Sequence, residues 1–302
     1  MIKVTVPATT ANLGPGYDCL GMALSQYSIF ECEKHNDRIV LVDGLECKKI
    51  TTDNNLVTES MECLFEYIGK YPDGYKLHIH NNIPLARGMG SSASAIVGGL
   101  MCANYLMDFP LDQKEILKLA TKIEGHPDNV APSILGNLVL STVDDSGDVI
   151  YHKIEPFRDL SLVLFVPDYE VSTSDSRKVV PQSVSISDTV RTSSRLSLML
   201  MGFMSGNLDL ISSSMDDCLH EPYRKHLVKG FDELKKTAIS AGAFSYCLSG
   251  AGSTVISYCK KRSGKSSPRI SKPRGSKAWY RWSGNNTRPL QKGSSIHTLL
   301  KL

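Results

Sequence analysis

Between residues 75 and 81 apolar and polar residues alternate, which predicts a strand that is buried on one face. Residues 93–107 are rich in Ala, Leu and Met and favour a helix. The segment between them contains Gly88, Gly90 and two adjacent serines. A glycine-rich loop that ends on a helix start directs free backbone N–H groups and the positive end of the helix dipole at one point. The pattern therefore predicts a binding site for an anion, most often a phosphate.

This loop matches neither of two better-known phosphate-binding loops. It lacks the Gly-Lys-Ser/Thr ending of a Walker A loop, and no Gly-x-Gly-x-x-Gly opens on a strand. A structural alternative also exists, in which Ser91 caps the helix and the glycines serve only the turn. The loop by itself leaves both interpretations open.

The same patterns predict strands and helices along the rest of the chain. Strands are expected at 1–7, 20–33, 38–42, 138–143 and 160–167, and a strand, glycine turn and strand at 246–257. Helices are expected at 56–68, from 110 to about 124 with Asp112 as cap, at 189–204 and at 231–241. Loops or polar segments are expected at 7–18, 51–55 and 171–181.

Composition narrows the class of protein. The chain has 302 residues, 41% of them hydrophobic and 22% charged, which is typical of a soluble globular protein of two domains. No apolar run reaches the ~18 residues that a membrane span needs, and the N-terminus lacks the apolar region of a signal peptide. The eight cysteines are scattered without a Cys-x-x-Cys pair. We therefore expect reduced thiols, no membrane partner and a cytoplasmic location.

The net charge of +3 conceals an uneven distribution. Residues 260–302 contain twelve Lys and Arg and no acidic residue, which leaves 22 basic and 31 acidic residues, a net charge of −9, in 1–259. The basic segment has no apolar periodicity before residue 295, and only 295–302 could form a short apolar element. Such a composition predicts a disordered tail. The abrupt change also suggests a reading-frame change in the coding sequence, as a hypothesis.

Several polar residues are candidates for chemistry. Asn12 and Asp18 lie in a loop of small residues and glycines, where ligand contacts are commonly built. Glu124 is expected at the C-terminal end of a helix, where the dipole disfavours a carboxylate unless a cation lies near it. The simpler alternative is a solvated glutamate. Arg177 and Arg224 follow in two later polar segments.

Four segments together resemble homoserine kinases of the GHMP kinase superfamily. They are Pro-Ala-Thr-Thr-Ala-Asn-Leu-Gly-Pro-Gly-Tyr-Asp at 7–18, Pro-Leu-Ala-Arg-Gly-Met-Gly-Ser-Ser-Ala-Ser at 84–94, Glu-Gly-His-Pro-Asp-Asn-Val-Ala-Pro at 124–132 and Leu-Ser-Gly-Ala-Gly-Ser-Thr at 248–254. His-Glu-Pro-Tyr-Arg at 220–224 also looks like that family. The resemblance covers about residues 1–259.

The resemblance implies a fold, an activity and a set of cofactors. It implies an α+β, two-domain GHMP-kinase fold with a glycine-rich phosphate loop between a strand and a helix. The expected domains are an ATP-binding domain at 1–150 and a C-terminal GHMP-kinase domain at 151–259, followed by the basic tail at 260–302. The expected activity is ATP-dependent phosphorylation of the side-chain hydroxyl of L-homoserine, in threonine biosynthesis, with Mg²⁺ as cofactor.

The family pattern also implies the site residues. Ser92 and Glu124 match the metal site and, with Arg177, are the expected catalytic residues. Asn55 resembles an adenine-side contact. The loop residues expected to contact ATP are Pro84, Leu85, Ala86, Arg87, Gly88, Met89, Gly90, Ser91, Ser92, Ala93 and Ser94.

The charges of homoserine provide an independent check on the substrate site. Homoserine is a zwitterion, so its site needs a cation for the carboxylate and an anion for the ammonium. Arg177 and Arg224 can supply planar forks for the carboxylate. Asp18 can bind the ammonium, with Asn12 and Thr173 as neutral partners. Each of these positions matches the family pattern.

Three other interpretations remain in view. The first is another kinase of the superfamily, acting on mevalonate or a related alcohol, which the pairing of Asp18 with two arginines disfavours. The second is an ATP-binding member that is catalytically impaired by its C-terminus. The third is a nucleic-acid-binding protein that uses Trp279, Tyr280 and Trp282 of the tail for stacking, which we do not expect because basic stretches are usually just solvated. The sequence leaves open whether the chain forms a homodimer.

Overall fold

The structure is a computed structural model, and it describes residues 1–260 together with the backbone of 280–281 and 295–298. The described residues form two β-sheets with helices packed against them, which is the predicted α+β class. The strands are β1 Ile2–Asn12, β2 Gly16–Lys34, β3 Arg38–Gly44, β4 Tyr75–Asn81, β5 Leu138–Val143, β6 Val149–Ile154, β7 Leu160–Val166, β8 Ser245–Leu248, β9 Val255–Lys260, β10 Tyr280–Arg281 and β11 Ser295–Thr298.

The helices lie mostly between strands. They are α1 Leu56–Ile68, α2 Ser91–Leu106, α3 Gln113–Glu124, α4 Pro127–Leu135, α5 Thr173–Lys178, α6 Ile186–Ser205, α7 Leu208–Ser214, α8 Glu221–Arg224 and α9 Phe231–Ser240, with short 3₁₀ turns at Cys47–Lys49 and Lys225–Leu227. In the part of the chain that the structure describes, no helix has the length and apolar character needed to cross a bilayer.

The first sheet is built around the long strand β2. Its order is β11-β1-β2-β4-β3, and β5 adds to β2 while β6 pairs with β5. Residues 29–34 of β2 pair with β4, and residues 20–22 of β2 pair with β5. Strands β3 and β4 are parallel, whereas the other pairs are antiparallel. The second sheet is antiparallel with the order β10-β7-β9-β8.

Three apolar cores hold these layers together, and the third of them packs α9 against the second sheet. Alternate residues of the first sheet, among them Val4, Phe30 and Leu77, pack beneath α1 to α4. A second core joins the two sheets, since Met22 of β2 packs in the same cluster as Leu162 of β7. Burial of these side chains supplies most of the stabilisation. Met89 of the loop between β4 and α2 belongs to this second core, so the loop lies where the two sheets share a core.

Local capping accounts for several element boundaries. Asn55 accepts from the N–H groups of Val57 and Thr58 and begins α1. Asp112 and Glu115 form the predicted capping box of α3. Gly125 ends α3, and the following proline at 127 is the first residue of α4. Caps of this kind are local, so the sequence predicts them well.

The expected loop at 7–18 and the polar segment at 171–181 were wrong in part. Strand β1 continues to Asn12 and β2 begins at Gly16, so only three residues form the turn. The small polar residues Thr9 and Thr10 are buried in the sheet, which hides the strand pattern. Helix α5 lies inside 171–181 because Ser172 caps it. Strand β4 and helix α1 have the predicted bounds.

The predictions for the basic tail fall mostly outside the described residues. Two short pieces are described, and their backbones pair with the sheets: β10 with β7 and β11 with β1. Strand β11 lies within 295–302, where the sequence predicts a short apolar element. The disordered tail and the division of the chain into domains at residues 150 and 259 stay predictions.

Candidate active site

The phosphate loop begins α2 without a side-chain cap. Gly90 is the N-cap residue, with φ of 64°, so the alternative that Ser91 caps the helix is wrong. The first bond within the helix runs from the N–H of Ser94 to the carbonyl of Gly90, at 2.9 Å. The N–H groups of Ser91 and Ser92 precede it and have no partner inside the helix. The start of α2 can therefore accept an anion, as predicted.

The two loop glycines allow close contacts with other segments. A Cβ at Gly88 would lie 2.1 Å from the carbonyl oxygen of Ser249. A Cβ at Gly90 would lie 1.9 Å from Oγ1 of Thr9, and that hydroxyl donates to Oδ1 of Asn129 at 2.7 Å. The glycines are thus needed for packing of the loop against β1 and the 249–252 turn, in addition to any approach of a phosphate.

Two cavities meet at the start of α2. The central cavity is lined by Asn12, Asp18, Ala86, Gly88, Gly90, Ser91, Ser92, Glu124, His126, Asp128, Asn129, Val171, Thr173, Arg177, Arg224, Gly250 and Ala251. The side cavity is lined by Ser28, Phe30, Lys49, Ile50, Thr51, Asn54, Asn55, Leu56, Val57, Ile79, Asn81, Leu85, Ser91, Ser92, Ser94 and Ala95. Ser91 and Ser92 line both, so a ligand in one cavity can reach a ligand in the other across the helix start.

Ser92 and Glu124 are in direct contact in the central cavity. The Ser92 hydroxyl donates to Oε1 of Glu124 at 2.6 Å. Burial raises the pKa of Glu124, and the hydrogen bond from Ser92 partly offsets this rise. A partly buried carboxylate beside a hydroxyl and a helix N-terminus offers the hard oxygen ligands that Mg²⁺ prefers. The pair therefore fits the predicted metal site.

Asp18 and Arg177, which also line the central cavity, form an ion pair with two hydrogen bonds. The two guanidinium nitrogens Nη1 and Nη2 donate to Oδ2 and Oδ1 of Asp18 at 2.9 and 2.8 Å. The hydrogen bond to Asp18 raises the pKa of Arg177. Asp18 has a left-handed backbone, with φ of 56°, and its N–H donates to Oδ1 of Asn12 at 3.0 Å. A strained backbone that other contacts hold in place is common at binding sites.

Arg224 differs from Arg177 because it is almost fully buried. Only 2% of its surface is exposed, and burial lowers its pKa. Its Nε donates to the carbonyl of Ser176 at 3.0 Å, and its guanidinium lies 4.9 Å from the ring centre of Tyr17. Among the described residues no carboxylate lies within ion-pair distance of it. A buried cation with neutral partners favours binding of an anion.

His126 and Asp128 add further charges to the central cavity. Nδ1 of His126 is hydrogen-bonded to Oδ1 of Asp128. Burial lowers the pKa of His126, but the contact with Asp128 and the charge of Glu124 outweigh it, and the net shift is upward. The cavity thus combines three carboxylates with two guanidinium groups and one imidazole.

Comparisons with known proteins show the family of this chain. Residues 55–137 match the family model for the N-terminal domain of GHMP kinases, and residues 199–266 match that for the C-terminal domain. Homoserine kinase from Trichodesmium erythraeum is 42% identical over 84% of this chain and 85% of its own length. Homoserine kinase from Carboxydothermus hydrogenoformans is 43% identical over 86% of both chains. The chain belongs to the homoserine kinases of the GHMP kinase family.

A solved structure gives the same fold. The crystal structure of homoserine kinase from Cytophaga hutchinsonii superposes with a TM-score of 0.76 at 29% identity, over 86% of this chain and 85% of that one. The predicted α+β GHMP-kinase fold is therefore confirmed.

The structure of this family member brings most predicted site residues together. Those that line the central cavity are Asn12, Asp18, Ala86, Gly88, Gly90, Ser91, Ser92, Glu124, Thr173, Arg177 and Arg224. Asn55, Leu85 and Ser94 line the side cavity, together with the two shared serines. Four loop residues, Pro84, Arg87, Met89 and Ala93, line neither cavity.

Three of these four side chains, those of Arg87, Met89 and Ala93, are buried against other parts of the protein. Arg87 donates from Nη1 and Nη2 to the carboxylate of Glu46, at 2.7 and 3.0 Å, and so anchors the loop to the 3₁₀ turn after β3. Burial raises the pKa of Glu46, but the hydrogen bonds from Arg87 and its neighbours outweigh it and lower the pKa to about 2. Met89 and Ala93 are buried in the apolar cores. Their side chains position the loop in this homoserine kinase relative.

Sequence reasoning missed several lining residues. His126, Asp128 and Asn129 belong to the 124–132 segment, which was recognised as a motif although only Glu124 was selected from it. The three residues lie at the start of helix α4, with His126 as its N-cap residue, and this helix was not predicted from the sequence. Tyr17, next to Asp18 in the first motif, was also missed; it lines neither cavity, but its hydroxyl accepts hydrogen bonds from Arg177 and Arg224.

Proposed function

We propose that this chain transfers the γ-phosphoryl group of ATP to the side-chain hydroxyl of L-homoserine, forming O-phospho-L-homoserine and ADP as a step of threonine biosynthesis. The observation that carries the proposal is the shared start of α2, where Ser91 and Ser92 line both cavities. The nucleotide then occupies the side cavity, the amino acid occupies the central cavity, and the reacting phosphate lies between them.

The side cavity supports the nucleotide part of the proposal. It lies beside the loop and combines apolar side chains such as Phe30 and Ile79 with polar groups of Asn54 and Asn55. Ligand sites of this kind are mostly apolar with a few polar groups that fix orientation. The side-chain oxygen of Asn55 caps α1, and one N–H of its amide donates to the carbonyl of Thr51 at 2.7 Å. A contact with a purine would therefore come from the second amide N–H.

Ser92 and Glu124 are the proposed ligands for a magnesium ion. Mg²⁺ is usually held by one or two carboxylates together with substrate phosphates and water, and it would neutralise charge on the phosphate oxygens. The protein holds the Glu124 carboxylate 2.6 Å from the hydroxyl of Ser92, and Ser92 lies in the first turn of α2.

The charged wall of the central cavity supports an amino-acid substrate. In the proposal the ammonium of homoserine lies against Asp18, and its carboxylate lies against Arg177 and Arg224. A zwitterion would thereby replace one internal ion pair, that of Asp18 with Arg177, by two intermolecular ones. Thr173, the first residue of α5, and Asn12 line the same cavity and serve as neutral hydrogen-bond partners of the substrate.

Phosphoryl transfer at this site does not require a strong base. The hydroxyl oxygen forms a bond to the γ-phosphorus while the bond from that phosphorus to the bridging oxygen of ADP breaks, and the hydroxyl proton leaves to a phosphate oxygen or water. The transition state is loose, so positioning and charge neutralisation account for most of the rate. Among the described residues that line the central cavity there is no lysine to act as a base partner.

The rival substrate class is an alcohol without an amine, such as mevalonate. The carboxylate of such a substrate would lie near the carboxylate of Asp18, with no ammonium group to neutralise either charge. The likeness to homoserine kinases at 42–43% identity also favours the amino acid. We propose a cytoplasmic location because all eight cysteines are free, as in a reducing compartment.

Product analysis tests the proposal. The full chain is incubated with ATP, Mg²⁺ and L-homoserine, and the products are identified by phosphorus NMR and mass spectrometry. The expected result is a phosphate ester on the homoserine side chain, formed in equal amount with ADP. ADP without phosphohomoserine would mean that water is the acceptor and would contradict the proposal. Binding of ATP without turnover would support the impaired alternative instead.

A further inference from the structure

Two histidines lie on the outer face of the first sheet, away from both cavities. In β4, Leu77 and Ile79 are buried in the core under α1 to α4, so the alternate residues His78 and His80 point to the opposite face. Neither histidine lines the central or the side cavity. Their position is therefore not explained by the proposed reaction.

Strand register brings two carboxylates to the same place. His78 is opposite Glu31 of β2, and His80 is opposite Asp43 of the parallel neighbour β3. Residues that face each other across neighbouring strands point to the same side of a sheet. The four side chains, which we call the outer-face cluster, come from three adjacent strands.

The outer-face cluster is closely packed. His80 contacts Oδ1 of Asp43 through Nδ1 at 2.7 Å, and its Nε2 lies 3.5 Å from Oε2 of Glu31. Nε2 of His78 lies 3.1 Å from Oδ2 of Asp43. The two imidazole rings are 3.8 Å apart. Glu31, His78 and His80 each offer a ligand atom, and these atoms all lie within 4.8 Å of one another.

We propose that Glu31, His78 and His80 bind a divalent first-row transition-metal ion, for which Zn²⁺ is the probe. Zinc bonds to nitrogen and oxygen are about 2.0–2.2 Å long, so two ligands of a tetrahedral ion are roughly 3.4 Å apart. The 3.5 Å between His80 and Glu31 matches this spacing. Imidazole nitrogen suits zinc, copper or nickel and disfavours Mg²⁺, so this site is chemically distinct from the one at Glu124.

Asp43 is the positioning residue in this proposal. Its contact with Nδ1 of His80 fixes the ring so that Nε2 faces Glu31. Histidine ligands of metals usually make such a second contact to a carboxylate, which sets the tautomer and the ring orientation. Lys3 of β1 is a further neighbouring charge: its Nζ lies 3.4 Å from Oε1 of Glu31, and Oε2 of Glu31 is the oxygen nearer to His80.

Solvent access and strand order support the same site. The side chains of His78, His80 and Glu31 are 30%, 27% and 24% exposed, so an ion can enter and complete its coordination with water. Strand β3 ends the described order of the first sheet. An ion held by β2 and β4, with Asp43 of β3 behind it, would join this end strand to the centre of the sheet. Binding should therefore raise the thermal stability.

Calorimetric titration of the full chain with Zn²⁺ tests the proposal. Excess Mg²⁺ is present so that the carboxylates of the central cavity are occupied, and ATP is left out because its phosphates bind Zn²⁺. The variants are His78→Gln, His80→Gln and Asp43→Asn. The matched control is His152→Gln, since His152 is an exposed histidine on β6 outside the cluster. Co²⁺ absorption spectra distinguish ligation by histidine and carboxylate from ligation by the cysteines.

The proposal expects one equivalent of Zn²⁺ in the wild-type chain and in His152→Gln, with a metal-dependent rise in Tm. Each histidine variant should bind at least ~10-fold more weakly, and Asp43→Asn about 10-fold more weakly. All variants should keep the metal-free Tm of the wild-type chain, which excludes unfolding as the cause. Equal Zn²⁺ affinity in His80→Gln, a thiolate spectrum with Co²⁺, or no binding by the wild-type chain would overturn the proposal.

Discussion

The guanidinium of Arg177 binds both carboxylate oxygens of Asp18, at 2.9 and 2.8 Å, although 159 residues separate the two in sequence. The proposed substrate carries one charge of each sign, so it can take up both members of this pair. Because the substrate has no net charge, the net charge of the central cavity does not change when it binds. An alcohol that lacks the ammonium would have to separate the pair without replacing the cation that Asp18 loses.

Substitution of Asp18 by Asn should therefore impair recognition of the substrate amine. We expect the KM for L-homoserine to rise about 30-fold, which corresponds to about 2 kcal/mol, with a smaller change in kcat. The estimate is moderate because the Asp18 side chain is 33% exposed and solvent screens its charge. Steady-state kinetics with L-homoserine and with its deaminated analogue measures the effect. If the preference for the amine-bearing substrate is unchanged, Asp18 does not bind the ammonium.

Alanine at Arg177 and at Arg224 should have different consequences for stability. Arg177→Ala should raise KM about 10- to 100-fold and leave Tm nearly unchanged, because this side chain is 38% exposed. Arg224→Ala should also lower the unfolding free energy by roughly 2–4 kcal/mol, because it removes a buried side chain that packs on Tyr17 and bonds to Ser176. Kinetics combined with thermal unfolding separates the two effects. Equal Tm losses would contradict this assignment.

Glu124→Gln should lower turnover much more than ATP affinity. The change keeps a hydrogen-bond acceptor for Ser92 but removes the charge that a metal ligand needs. We expect kcat to fall by about 100-fold or more, with little change in nucleotide affinity. A fall of this size is typical when an enzyme loses one preorganised electrostatic contact to the transition state. The matched control is Glu66→Gln, an exposed residue of α1. Near wild-type turnover at saturating Mg²⁺ would make Glu124 a structural residue.

The buried Glu221 should make stability depend on pH. Its Oε2 accepts the Leu248 N–H at 2.7 Å, and burial raises its pKa to about 7 from a usual 4.5. The folded state then binds more protons between these two values, so stability is highest below about 4.5 and falls as the pH rises to about 7. Glu221→Gln should remove this fall and add at most about 3 kcal/mol above pH 7, at about 1.4 kcal/mol per pKa unit.

Urea unfolding of the wild-type chain and Glu221→Gln at about pH 5 and about pH 8 measures the difference. Glu66→Gln again serves as the control, since an exposed glutamate should leave the slope with pH unchanged. A wild-type stability that does not fall between these pH values would show that Glu221 ionises normally.

The parts of the site that depend on local sequence were predictable. The alternation in β4, the glycines before α2 and the capping box of α3 are each determined by a few neighbouring residues. They led to the correct position of the glycine-rich loop between β4 and α2 and of Glu124 at the end of α3. The family pattern then extended this to Asn12 and Thr173, which line the central cavity.

The parts that depend on tertiary contact were not predictable from one sequence. Arg87 has the same motif status as its neighbours, but its side chain is bound by Glu46, 41 residues away. The glycine requirement at position 90 results partly from Thr9 of β1, which no local pattern reveals. The outer-face cluster likewise requires the register of β2, β3 and β4, because Glu31 and Asp43 are distant in sequence from the histidines.

A coupled assay of ADP release with four alcohols tests the central claim most directly. The full chain is supplied with ATP, Mg²⁺ and, separately, L-homoserine, L-serine, L-threonine or mevalonate, and kcat/KM is compared. The account predicts by far the highest value for L-homoserine, because the substrate must carry both charges and a hydroxyl long enough to reach the start of α2. A value for mevalonate equal to or above that for L-homoserine, or no ADP release with any of the four, would contradict it.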